Sequence, residues 1–197
     1  MLINNDFEVA QPVEAVWQFF GDIPRVASCL PGAELTETLG DDKYGGRVAV
    51  RMGPVRLQFA GTAEITERNE AAKRIVVHAT GAEERGRGQA SMVVSATLAP
   101  ASRSGGGTKV AVTQDLQLAG AAAQYGRGMI ADVTAVLMRD FAVNLADRID
   151  RAERGEVVTG AATAASPASG FTLGMRAAVM ALRRVFRRFF VPYQAAS

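Results

Sequence analysis

Hydrophobic and polar positions change period twice along this chain, and the two changes divide it into segments. Residues 2 to 10 read as a strand that an edge position tolerates, and Pro12 then stands where a first helical turn accepts proline. Val13, Val16, Trp17 and Phe20 recur at helical spacing and predict a short amphipathic helix. Asp22 caps a second short helix, which Pro31-Gly32 stops. After Gly32 the period falls to two. Val48, Val50 and Met52 alternate with Arg47, Ala49 and Arg51, while Val55, Leu57, Phe59, Ala63 and Ile65 alternate with Arg56, Gln58, Thr62 and Glu64. The same alternation returns at Met92, Val94, Ala96 and Leu98 and again at Val110, Val112, Leu116 and Leu118. One covered and one wet face is the pattern of an antiparallel sheet. Turn signals separate the runs at Gly40-Asp41-Asp42, Gly53-Pro54, Arg68-Asn69-Glu70, Gly86-Arg87-Gly88 and Ser104-Gly105-Gly106-Gly107.

From Ala121 to Arg154 the helical period resumes, with Ile130, Val133, Leu137, Phe141, Leu145 and Ile149 as its stripe. Such a helix, on the order of 45 Å long, crosses a whole sheet. One strand, two short helices, about six more strands and one long helix predict an α+β layer fold, with the last helix lying on a curved antiparallel sheet of about seven strands. The domain is expected over residues 1–154. Residues 155–170 are rich in Ala, Ser, Thr and Gly and bury too little area to offset their ordering entropy, so they read as a flexible linker.

Residues 171–197 are different in kind. Projected at 100° per residue, Met175, Val179, Leu182, Val185, Phe186 and Phe189 fall on one side of a helix, next to Phe190 in the chain. Arg176, Arg183, Arg184, Arg187 and Arg188 fall on the other. An apolar face opposed by arginines describes a helix lying in a membrane interface, cations at anionic headgroups. Packing on a partner protein is the competing reading.

Charge sharpens this division. The formal net charge is +2, but five of the 22 basic residues lie beyond residue 170 with no acid among them, leaving 17 basic against 20 acidic groups before it. The domain therefore lacks the basic stripe that nucleic-acid phosphates require. The first residues lack the features of a secretory signal, and the single cysteine, Cys29, forms no internal disulfide. The expected location is the cytoplasm, peripheral on the inner face of the cell membrane.

Catalytic chemistry finds little support. His78, the only histidine, has outward parity beside Val76 and Thr80, and a metal pair needs a second ligand of its kind. Cys29 reads as a small buried residue, Glu83-Glu84-Arg85 as solvated charge at a strand end, and Ser104 to Lys109 as a hairpin turn lacking phosphate-loop spacing. Gln114 is the exception. It shares inward parity with Val110, Val112, Leu116 and Leu118, and a buried amide needs partners from protein, water or ligand. Gln124 and Tyr125 open the long helix, at the end where backbone N–H groups are free. An apolar ligand with one or two carbonyl acceptors suits this arrangement. Its expected walls are Met52, Leu57, Phe59, Met92, Val94, Gln114, Leu116 and Leu118 from the sheet, with Tyr125, Met129, Val133, Val136 and Leu137 from the helix.

The element order resembles the helix-grip folds of the START-like superfamily, in which a sheet curls around the last helix and leaves an apolar cavity between them. Leu30-Pro31-Gly32-Ala33, Gly53-Pro54-Val55 before Phe59-Ala60-Gly61, and Gly120-Ala121-Ala122-Ala123-Gln124-Tyr125-Gly126 together resemble the CoxG family of carbon monoxide dehydrogenase subunits over about residues 1 to 153. That resemblance implies a non-enzymatic companion of a molybdenum-containing CO dehydrogenase, and some members carry a C-terminal membrane extension. It leads to the expectation of a carrier that binds a respiratory quinone, menaquinone or ubiquinone, and moves it between an anionic membrane and the dehydrogenase. The alternative is a recruitment or maturation factor that carries nothing. No covalent cofactor and no metal are expected, and a cyclase or hydrolase on this fold is disfavoured for want of an inward acid-base pair.

Overall fold

A computed structural model describes residues 1–102 and 106–155. The expected linker, apart from its first residue, and the whole expected membrane segment, residues 171–197, lie outside the described residues. The chain runs β1 (Leu2–Val9), α1 (Val13–Phe20), α2 (Ile23–Cys29), β2 (Ala33–Gly40), β3 (Lys43–Met52), β4 (Val55–Asn69), β5 (Arg74–Glu83), β6 (Gly88–Pro100), β7 (Thr108–Gly120), a 3-10 turn (Ala121–Gln124) and α3 (Arg127–Glu153). All seven strands join one antiparallel sheet in the order β1-β7-β6-β5-β4-β3-β2.

Local chemistry places the boundaries. Asp22 Oδ1 accepts the Arg25 N–H at 3.1 Å and caps α2, as its position predicts. Pro12 sits one residue earlier than a first-turn proline, at the N-cap of α1, where its carbonyl accepts the Val16 N–H at 3.1 Å. The long helix departs from the expected bounds. Tyr125 and Gly126 are extended, and the α-helix begins only at Arg127. Glycines at 120, 126 and 128 weaken helical propensity there, so the alanines wind into a separate 3-10 turn. The remaining 27 residues of α3 span about 40 Å.

The sheet must curl to meet this helix. Five strand spacings, about 24 Å, separate β1 from β3, twice the width of a helix with its side chains. Yet α3 packs against both β1 and β3. Curvature is built into β4, which shifts register between Ile65 and Glu67. It is helped by Gly61 opposite Gly81, where a Cβ on Gly61 would lie 1.9 Å from the Thr80 carbonyl oxygen.

Between sheet and helix the buried side chains form two apolar clusters. The first gathers Val9, Val16, Phe19, Phe20, Cys29, Ile65, Ile75, Ala96, Leu98, Val110, Val112, Phe141, Leu145 and Ile149. Phe141 anchors it with edge-on contacts to Phe7 at 6.0 Å and Phe20 at 6.4 Å between ring centroids. Asn144 Nδ2 donates to the Cys29 carbonyl at 2.9 Å and Arg148 Nη2 to that of Ser28 at 3.3 Å, so α2 is fastened to α3 over this cluster. The second cluster, at the Arg127 end of α3, consists of Ile3, Met52, Leu57, Ala122 and Ile130, with Val50, Val55, Phe59, Leu116, Leu118, Tyr125 and Val133 packed on it.

Candidate functional site

The second cluster brings together most of the walls that strand parity predicts. Met52 and Leu57 are buried in it, and Phe59, Leu116, Leu118, Tyr125 and Val133 pack against it half-buried. Four expected wall residues lie elsewhere or face outward. Val94 packs on the first cluster, and Met92 is half-buried between Ala79 and Leu116 on the neighbouring strands. Met129 and Val136 are 43% and 40% exposed. They lie about 100° and 120° round the helix from Ile130, whereas Thr134, Leu137 and Phe141 stay within about 40° of it. Apolar character alone misassigned them; the stripe through Ile130 and Phe141 was the better guide. Leu137 is half-buried on that stripe. Left off the expected walls were Ile3, Val50, Val55 and Ala122, of which Ile3, Val50 and Val55 carry the inward parity of their strands.

A polar seam separates the two clusters. On β1, Asn5 lies between Ile3 of the second cluster and Phe7, packed on the first; on β7, Gln114 lies between Val112 of the first and Leu116 of the second. Ile3 pairs with Gln114 and Asn5 with Val112, so the two amides are diagonal neighbours on the inward face. Gln114 is 5% exposed, and among the described residues its Nε2 has no hydrogen-bond partner; neither does the buried Nδ2 of Asn5. The inward parity expected of Gln114 is therefore observed, and its donor is unmet, which costs free energy in an apolar setting unless something accepts from it. On α3, buried Thr134 stands between Ile130 and Phe141, its hydroxyl donating back to the Ile130 carbonyl at 2.8 Å.

Two clefts open at this end of the molecule. One, of about 450 Å³, is lined by Met1, Leu2, Ile3, Asn4, Arg127, Gly128 and Ala131. The other, of about 350 Å³, is lined by Val55, Leu57, Arg87, Ala121, Gln124 and Tyr125. Both open to solvent. Their volumes fall within the range of small-molecule sites.

The second cleft corrects one reading outright. Glu83 is not solvated strand-end charge: it is 3% exposed. Its Oε2 accepts the backbone N–H groups of Arg85 at 2.9 Å and Arg87 at 3.1 Å, and its Oε1 accepts Arg87 Nη2 at 2.9 Å. The Arg87 side-chain bond, and then the two backbone N–H groups, hold its carboxyl down to about 2 in spite of burial. Parity could have found it, since Glu83 falls in register with the inward Ile75, Val77 and Ala79. The charge runs of the turn hid that signal.

The readings of His78 as outward and Cys29 as buried agree with the structure. His78 is exposed and Cys29 fully buried; burial pushes the Cys29 thiol up to about 11, so it stays protonated and unreactive near neutrality. Among the described residues no group of side chains is placed to hold a metal ion, and no helix is long and apolar enough to cross a membrane.

Comparison with solved structures places this architecture among known folds. A conserved protein from Geobacillus kaustophilus superposes with a TM-score of 0.67 at 22% identity, over 77% of this chain and 97% of that one. The Zhui aromatase/cyclase from Streptomyces sp. R1128 gives 0.56 at 15% identity, covering 80% and 98%. A START superfamily protein from Mycobacterium smegmatis gives 0.50 at 14%, covering 77% and 98%. At these identities the likeness concerns the fold alone, and the fold is START-like. No curated protein sequence matches the chain. The model of the carbon monoxide dehydrogenase CoxG subunit family matches residues 6–150, about three quarters of the chain, and the protein belongs to that family.

Proposed function

We propose that the protein is a non-enzymatic carrier of a respiratory quinone, menaquinone or ubiquinone, serving a molybdenum-containing CO dehydrogenase at the inner face of the cell membrane. Membership of the CoxG family supplies the dehydrogenase as partner. The observation that carries the ligand is Gln114: a buried amide donor without a partner among the described residues, beside Leu116 at the border of an apolar cluster. A quinone has the matching chemistry, an apolar body with carbonyl acceptors and no charge. Clefts of about 350 and 450 Å³ suit its head group better than its full prenyl chain. In this reading the head group is held at the Arg127 end of α3 and the chain remains with the bilayer or displaces side chains of the second cluster. Each Å² of prenyl surface taken from water favours loading by roughly 25 cal/mol. The arginines and apolar residues of segment 171–197 would hold the carrier at an anionic membrane surface, each arginine contributing about 1 kcal/mol.

The test is extraction. Full-length protein purified from its own host is expected to release quinone into organic solvent and to float with anionic vesicles, while a chain lacking residues 171–197 retains quinone but stays in solution. Repeated absence of quinone from the full-length protein overturns the carrier and leaves a recruitment factor. Failure to float removes the membrane role alone.

A further inference from the structure

Arg87 lines the second cleft in company with Val55, Leu57, Ala121, Gln124 and Tyr125. It is held there along the Nε–Nη2 edge of its guanidinium. Its Nε and Nη2 donate to Glu83, at 3.3 and 2.9 Å, and Nη2 also donates to the Arg56 carbonyl at 3.1 Å. Its own carbonyl accepts the Ala122 N–H at 3.3 Å, joining the β5–β6 turn to the 3-10 turn. The neighbouring backbones touch: Gly120, with φ of +73°, stands where a Cβ would lie 2.9 Å from the Arg87 carbonyl oxygen. A side chain held this way loses little freedom when it binds something.

The pairing also decides what it binds. With Nε and Nη2 committed, the two Nη1 protons are the donors left for the cleft. Glu83 cancels most of the guanidinium charge at any distance beyond contact, because its carboxylate is bound in a forked pair directly behind. An arriving anion meets that carboxylate's repulsion together with the donors. A neutral carbonyl meets the donors alone. The remaining walls divide the same way, Val55, Leu57 and Ala121 apolar, Gln124 and Tyr125 able to donate.

We propose that Arg87, positioned by buried Glu83, is the recognition group of this cleft and selects a neutral carbonyl on an apolar ring, rejecting anionic rings of equal size. The assignment rests on the carrier reading only in taking that ring to be a quinone head group; Glu83 acts through Arg87 and is a positioning residue.

Three probes of similar shape test it by titration calorimetry on the full-length protein: 2-methyl-1,4-naphthoquinone, 2-methylnaphthalene without carbonyls, and naphthalene-2-sulfonate. The quinone is expected to bind at least tenfold more tightly than either of the others, the ratio that one charge-assisted hydrogen bond produces. Arg87→Met is expected to weaken the quinone about tenfold and 2-methylnaphthalene less than twofold. Because that variant strands a buried carboxylate, the double variant Glu83→Gln/Arg87→Met, which removes both charges, repeats the measurement in a chain whose fold is checked by circular dichroism. Glu83→Gln alone uncovers the guanidinium and should let the sulfonate gain on the quinone. Equal loss of quinone and hydrocarbon in the variants, no loss of either, or a wild-type protein that takes the sulfonate as tightly as the quinone overturns the assignment. Protein that yields native quinone on extraction yet ignores Arg87 overturns this site and leaves the carrier; protein that neither yields quinone nor binds the naphthoquinone overturns both.

Discussion

The two ends of α3 are made from the same sheet and the same helix, yet one is sealed and the other open. At the Leu145 end, α1 and α2 lie across the gap between sheet and helix, and Leu145, Val16, Val110 and Cys29 are fully buried. At the Arg127 end no helix among the described residues covers the gap, the 3-10 turn stands in its place, and both clefts border the cluster. The difference teaches where stability and binding reside. A cluster roofed by helices is a core whose loss unfolds the domain, whereas a cluster with clefts at its margin keeps apolar surface within reach of a ligand.

Breaking the sealed end should cost most. Leu145→Ala is expected to destabilise the domain by about 3 to 5 kcal/mol, since the roofed cluster cannot collapse into the hole, and Leu57→Ala by about 2 kcal/mol because the adjoining cleft lets its neighbours relax. Urea unfolding compares them; equal losses would mean that the ends are packed alike. Bulky substitution sharpens the same contrast. Ala96 faces inward but belongs to the sealed cluster, so Ala96→Trp overpacks the core and is expected to cost about 3 kcal/mol. Ala121 lines the open cleft and is exposed, so Ala121→Trp should change stability by less than about 0.5 kcal/mol while blocking the proposed ligand site. A chain with Trp at this position that still supports CO-dependent respiration would show that the cleft carries nothing the function needs.

The smallest expected effect is confined to acid. Glu83 has its carboxyl lowered from 4.5 to about 2, so its charged form is favoured by folding; that stabilisation is whole above pH 4.5 and is lost as pH falls toward 2. Glu83→Gln should therefore be less stable than the wild type at pH 7, with the gap closing between pH 4.5 and 2. Urea midpoints at several pH values read this directly, and a gap undiminished at the acid end would show that Glu83 acts by packing and not by charge.

The strands, both short helices and the long helix were legible because each buries one face, and periods of two and 3.6 record that burial residue by residue. Met52, Leu57 and Gln114 were placed inward by the same logic, and they are inward. Parity, however, says which side a residue faces and nothing of what it meets there. Val94 shares its face with the expected walls but packs at the sealed end, and Glu83 shares the parity of Ile75 though its neighbours in sequence are charged.

The amino-acid sequence by itself determined the strands and helices, the antiparallel meander after the two short helices and the inward amide, because these follow from local periodicity and from turn residues a few positions apart. Only the tertiary structure decided that the interior divides into a roofed core and an open cluster, and that Arg87 is held at a cleft by Glu83. Those outcomes depend on how far the sheet curls and where α1 and α2 come to rest against α3, which are contacts between residues distant in the chain and carry no period for a sequence to display.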